Sequence, residues 1–186
     1  MKINVHAGHN PDGKVACGAV GLIKESTEAR RVKDYVISML RDKGHTVYDC
    51  TVDNGKNQSD VLKKIVAKCN AHKADLDVSI HFNAGAGDRK GNGKTAGTEV
   101  YLYSTNSKAK PYAQRVAKAI AKLGFRLRDD AIKDSVKTSS GLYFLKNTKA
   151  PAMLVECCFV DDADDVKLYK PKKMAKAIAE GITGKK

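Results

Sequence analysis

Apolar runs of strand length alternate along this chain with segments whose apolar residues recur at helical spacing, and that alternation is the feature that most constrains the fold. It is the pattern of an α/β domain: a mixed, mostly parallel twisted sheet of roughly six strands with helices on both faces. Strands are expected near residues 2–7, 46–49, 76–82, 98–103, 142–145 and 152–157. Three amphipathic stripes mark the intervening helices: Val32, Val36, Met39 and Leu40; then Val61, Leu62, Ile65, Val66 and Cys69; then Val116, Ala119, Ile120 and Leu123. Gly44 and Gly124 fall where two of these helices should stop. A last helix opens at Pro171 and buries Met174, Ile178 and Ile182, behind acidic residues (Asp161, Asp162, Asp164, Asp165) that suit a helix N-terminus. The five glycines between Ala84 and Gly97 predict a mobile, solvated loop. A length of 186 residues suits one such domain, taken as 1–183 with 184–186 as a tail.

Chemistry emerges from the polar residues that interrupt the apolar strands. His9 follows the first strand in Val5-His6-Ala7-Gly8-His9-Asn10, His81 ends Leu76-Asp77-Val78-Ser79-Ile80-His81-Phe82, and Glu156 ends Ala152-Met153-Leu154-Val155-Glu156. In an open α/β sheet, ligands bind outside the carboxyl ends of the strands, so parallel strands would gather these three side chains. Two imidazoles and a carboxylate match a zinc site that keeps its fourth position for water. A histidine at a strand end is also commonly structural, whereas an ionised carboxylate there is costly unless paired or metal-linked. A further acidic ligand is available at the start of the first helix, after the Gly18-Ala19-Val20-Gly21-Leu22 loop, where Glu25 and Glu28 both stand; spacing does not separate them. His45 and His72 are expected to be exposed and outside the site.

Charge and cysteine usage narrow the remaining classes. The formal net charge of +13 calls for a polyanionic partner, whether nucleic acid, anionic lipid or anionic wall polymer. The lysines are scattered over several helices without an Arg-rich helix or an aromatic cluster for stacking, which argues against a nucleic-acid-binding module. No apolar run approaches the roughly 20 residues of a membrane span. Five cysteines, with no C-x-x-C pair, indicate neither a disulfide framework nor a thiolate zinc knuckle. Cys157 and Cys158 raise a cysteine-hydrolase alternative with His81 as base, but they lie on an apolar strand rather than at a helix N-terminus that would activate a thiol. The first strand begins almost at Met1, which leaves no room for an export signal, so synthesis in a cytoplasm is expected.

Taken together, Gly8-His9, Gly21-x-x-x-Glu25, Ile80-His81-Phe82-Asn83-Ala84 and Val155-Glu156 resemble the type 3 N-acetylmuramoyl-L-alanine amidases, in order and over nearly the whole chain, with Asp165 matching a later acidic position. The resemblance implies that His9, Glu25 and His81 bind Zn2+ and that Glu156 is the catalytic carboxylate, with Glu28 one turn too late. It implies cleavage of the amide between N-acetylmuramic acid and L-alanine in bacterial peptidoglycan, and, without an export signal, a phage endolysin that reaches the wall after release. Three positions depart from the family pattern, which usually has an acidic residue at His6, a glycine at Asn10 and an asparagine at Ala29; His6 is a candidate to hold His9 or merely to fill space. Asn83, Ser139, Ser140, Gly141 and Tyr143 are candidate substrate-binding residues. Anionic wall polymers are a further expected partner of the basic surface.

Overall fold

The computed structural model describes residues 1–139 and 141–184, and of residues 129, 130, 138 and 139 the backbone only. The chain runs β1 (Lys2–Ala7), α1 (Glu25–Asp42), β2 (Thr46–Asp49), α2 (Gln58–Asn70), β3 (Leu76–Asn83), β4 (Thr98–Leu102), α3 (Lys110–Ala121), β5 (Leu127–Asp134), α4 (Ser135–Ser139), α5 (Tyr143–Asn147), β6 (Ala152–Phe159), α6 (Ala163–Leu168) and α7 (Pro171–Thr183). The six strands form one sheet in the order β2-β1-β3-β6-β4-β5. β2, β1, β3 and β6 are mutually parallel, whereas β4 runs antiparallel to β6 and parallel to β5. The mixed, mostly parallel α/β sheet expected from the alternation is therefore present.

Helices cover both faces. α1 and α3 pack on one, with α7 between them, and their stripes close over Ile3, Val5, Val78, Ile80, Val100 and Val155 in the main core. The other face is covered by α2 and α5, where Val61, Ile65 and Cys69 meet Phe144, Leu145 and Leu154. Helix ends follow the local chemistry. Asn57 caps α2 by accepting from the Asp60 N–H, and Asp60 in turn accepts from the Lys56 N–H. Pro171 opens α7, and Gly44 and Gly124 follow α1 and α3 at positive φ.

Three expectations are corrected. The run near 142–145 is helix α5, because both edges of β6 are already taken by β3 and β4, and a short apolar run suits either helix or strand. The sixth strand is β5, with the sequence Leu-Arg-Asp-Asp-Ala-Ile-Lys-Asp; it is an edge strand, bulged so that Thr98 pairs with Leu127 but Val100 with Ile132, and Ala131 adopts φ 57°. The Ala84–Gly97 segment is solvated but tethered. Asp161 accepts from the N–H groups of Gly85, Ala86 and Gly87, Asp164 from Asn92 and Gly93, and Asp165 from Gly97 and Phe159. The acidic cluster thus does cap a helix, since Asp162 accepts from the Asp165 N–H at the start of α6, but its main work is to hold this loop. His45 and His72 are half-buried rather than exposed: His45 Nδ1 lies 3.2 Å from the terminal amine, and His72 stacks on Tyr48.

Candidate metal centre

β1, β3 and β6 end side by side, and the residues just past or at their tips converge. His81 and Glu156 are direct partners in the β3–β6 register, so their side chains share a face. Beyond them β6 carries an extra residue, since Asn83 pairs with Phe159, which bends the strand away from the site. Glu25 reaches the same place because the β1–α1 loop is stapled to the end of β6, with the Leu22 N–H on the Val160 carbonyl at 2.7 Å. The first residue of α1 is thereby suspended over the strand tips.

His9 Nε2 lies 3.3 Å and His81 Nδ1 2.9 Å from the same oxygen, Glu25 Oε1. One donor atom from each residue falls within 4.8 Å of the others. Donors of a tetrahedral zinc with bonds of about 2.0–2.1 Å sit roughly 3.3 Å apart, so the set fits such an ion in element and spacing. Glu25 is 4% exposed; its Oε2 accepts from the Ala19 N–H at 2.8 Å and its Oε1 from the Phe82 N–H at 3.2 Å. Burial pushes its pKa up, but hydrogen bonds from His81 and His9 reverse this and hold the carboxyl well below the usual range. Glu28, the alternative left open by spacing, turns away to Arg31 and to the Tyr169 hydroxyl.

Close packing fixes this arrangement. A Cβ on Gly8 would lie 2.1 Å from the His81 ring, and one on Gly18 2.5 Å from Glu25 Oε2, so neither position admits a side chain. His9 itself sits at φ 63°, a left-handed conformation that costs a non-glycine residue on the order of 1 kcal/mol. Arg30, which sequence reasoning did not single out, secures that turn by donating to the His9 carbonyl at 2.9 Å while pairing with Asp53. Asn10 adds a second tie through the Val15 and Gly55 carbonyls. His6 does not hold His9. Its Nδ1 faces the Ala7 carbonyl, its Nε2 has no partner among the described residues, and burial, with His81 nearby, lowers its pKa to about 3. Ala29 lies in the main core.

Glu156 Oε2 is buried without a hydrogen-bond partner among the described residues. Burial, then the charges of Glu25 and Glu99, raise its pKa well above the carboxylate range. A cation among His9, Glu25 and His81 would oppose that repulsion, which is a second respect in which the residues fit a metal. Glu99 was also missed: it pairs with Glu156 across the β4–β6 ladder and is held by Asn83, Tyr101 and Arg128. A pocket of about 240 Å³ opens on this set, lined by His9, His81 and Glu156 and walled by Val61, Leu62, Ile65 and Phe144.

The remaining candidates divide. Tyr143 lines the pocket, whereas Gly141 lies against the Tyr103 ring and the Asn83 amide is engaged by Glu99 and the Ala84 N–H. The Ser139 side chain and all of Ser140 lie outside the described residues. Cys157 and Cys158 belong to the main core, and burial pushes both thiols well up, so neither has the microenvironment of a nucleophile.

A layered α/β sheet carrying an imidazole–carboxylate cluster and an unpartnered carboxylate at its strand ends defines a protein with a candidate metal centre of hydrolytic type. Residues 3–184 match the model of the N-acetylmuramoyl-L-alanine amidase family Amidase_3, and the chain belongs to that family. Among curated relatives it is 35% identical over 188 residues to an uncharacterized Clostridium perfringens protein, CPE1502, covering 100% of this chain and 52% of that protein. It is 32% identical over 178 residues to the endolysin of Bacillus phage SPP1, covering 94% and 60%. The chain thus spans only about half to three-fifths of these relatives. Its fold superposes on the catalytic domain of the CD27L endolysin, which targets Clostridia difficile, with a TM-score of 0.84 and 26% identity, covering 100% of this chain and 98% of that one.

Proposed function

We propose that this chain is a zinc-dependent peptidoglycan hydrolase of the endolysin kind, cutting the amide between the lactyl group of N-acetylmuramic acid and the first L-alanine of the stem peptide. The observation that carries this reading is the His9–Glu25–His81 cluster with Glu156 beside His81 in register, in a chain of the amidase family. His9 Nε2, His81 Nδ1 and Glu25 Oε1 would hold the ion. Zinc, when bound, supplies Lewis acidity there, polarising the scissile carbonyl and easing loss of a proton from water. Glu156 takes the proton of the attacking water as the carbon–oxygen bond forms and returns it to the alanine nitrogen as the carbon–nitrogen bond breaks, so the carboxylate ends as it began. Its position beside His81 in the β3–β6 register and on the wall of the pocket suits it to both transfers. The apolar walls of the pocket would limit water to the reacting end, and Tyr143, which lines the pocket, would touch the substrate.

The setting is the bacterial wall, a reading supported by likeness to two endolysins. Among the described residues, no helix is long and apolar enough to cross a membrane. The net charge of +13 supports a second attraction, to anionic wall polymers. Metal analysis of the purified protein tests the central claim: one zinc per chain is expected, with wall digestion lost on chelation and restored by zinc. Full activity in metal-free protein would refute it.

A further inference from the structure

A groove of about 540 Å³ lies between α3 and α7, on the helices that cover the apolar face of the sheet rather than at the candidate metal centre. Lys118 and Lys122 form one wall and Lys173 and Lys176 the other, Arg115 stands among them, and the lining holds one carboxylate among the described residues, Glu180. Two of the five cations are engaged. Arg115 donates to the Gly181 and Ile182 carbonyls at 2.8 and 3.3 Å, and Lys176 lies 3.7 Å from Glu180. Lys118, Lys122 and Lys173 are exposed, with no ion-pair partner among the described residues.

This arrangement works against the isolated helices. Lys118 and Lys122 are four apart and Lys173 and Lys176 three apart, spacings at which like charges repel on a helix surface. Facing each other across a concave groove, the two rows concentrate positive potential that Glu180 offsets only in part. A polyanion laid along the groove would replace that repulsion with attraction and release its own counterions.

We propose that the α3–α7 groove binds a phosphodiester polymer built on small polyols, the chemistry of an anionic wall polymer, and so supplies a wall contact separate from the catalytic pocket. Among the described residues the lining lacks an aromatic side chain on which bases could stack, which favours a polyol phosphate over a single-stranded nucleic acid. The inference rests on the wall-hydrolase reading only for the source of the polymer; the groove itself is tested by binding, without catalysis.

The experiment is binding of the full chain to purified glycerol-phosphate polymer across a salt series. The triple variant Lys118→Gln, Lys122→Gln, Lys173→Gln should bind about tenfold or more weakly at physiological salt, with the slope of log affinity against log salt reduced by about 2. A control, Lys43→Gln, Lys63→Gln, Lys94→Gln, removes the same charge elsewhere and should stay within about twofold of the parent. Both variants should keep the parent's melting temperature and its hydrolysis of a small soluble muropeptide. Equal losses in the two triples would assign the attraction to diffuse charge and overturn the groove, as would no loss in either. Single-stranded DNA bound as tightly through the same lysines would overturn the choice of polymer. Groove-dependent binding by a chain that digests no wall would leave the groove standing while the hydrolase reading falls.

Discussion

Along β3, Val78, Ile80 and Phe82 enter the main core beneath α1, while the residues between them, Asp77, Ser79 and His81, face the opposite side toward α2 and α5. Asp77 and Ser79 are 1% and 0% exposed, while His81 is half-buried and lines the pocket. The first set is matched with apolar partners. The second set, with Asn4 and His6 on β1 and Glu156 on β6, carries five buried polar atoms that lack a hydrogen-bond partner among the described residues: Asn4 Oδ1, His6 Nε2, Asp77 Oδ2, Ser79 Oγ and Glu156 Oε2. Such groups cost about 1–3 kcal/mol each when left unpaired. One face therefore stabilises the sheet, and the other gives up part of that stability to hold polar groups beside the candidate metal centre.

The contrast would break most visibly in catalysis. Glu156→Gln keeps the shape of the side chain and removes its basic oxygen, so wall digestion should fall by about 10²–10⁴-fold while zinc content stays near that of the parent. Retained activity would demand another base, and lost zinc would make Glu156 a ligand. The ligand assignment is sharpened by the two glutamates of α1. Glu25→Ala should lose most bound zinc, since Glu25 Oε1 faces both imidazoles, whereas Glu28→Ala should keep it, because Glu28 is engaged with Arg31 and Tyr169. Metal analysis of the two variants side by side decides the register.

Much of this division was legible in the sequence. Strict alternation in Leu76–Phe82 identifies a half-polar strand, and a histidine or glutamate where such a strand ends is a signal because nothing in strand propensity puts it there. β5 was hidden by its charge and its bulge, and α5 by an apolar run too short to carry a period. Glu25 could not be told from Glu28 by spacing, since the choice depends on how the loop is stapled to Val160, a contact between residues more than a hundred positions apart. Arg30 and Glu99 were missed for the same reason: each acts through partners brought together only by the fold.

Stability measurements compare the faces directly at two adjacent positions of β3. Ile80→Ala opens a cavity in the main core and should cost about 2–5 kcal/mol of unfolding free energy. Ser79→Ala removes a buried hydroxyl with no partner among the described residues and should raise stability by about 1–3 kcal/mol. Denaturant unfolding of both variants measures this. A large loss from Ser79→Ala would mean that its hydroxyl is satisfied and that the polar face is less frustrated than its geometry implies.

The smallest expected effect is a pH dependence on the same face. Asp77 accepts from the Asn4 amide at 2.7 Å, yet burial dominates and raises its pKa to about 6. Between pH 4 and 6, roughly, the folded chain therefore keeps a proton that an unfolded aspartate with a pKa of about 3.9 releases. The native state binds more protons in that window, so this residue's contribution to stability falls as pH rises through it and levels off above about 6. Asp165, also raised to about 6 by burial, adds a term of the same sign, while His6, lowered to about 3, works in the opposite sense by losing stability as pH falls below its unfolded value. The Asp77 term is isolated by subtraction. Asp77→Asn keeps an acceptor for Asn4 and cannot ionise, so the stability of the variant relative to the parent should increase between pH 4.5 and 7 in urea unfolding. A difference that stayed flat across that range would show that Asp77 ionises as freely in the folded chain as in the unfolded one, and that water reaches the polar face.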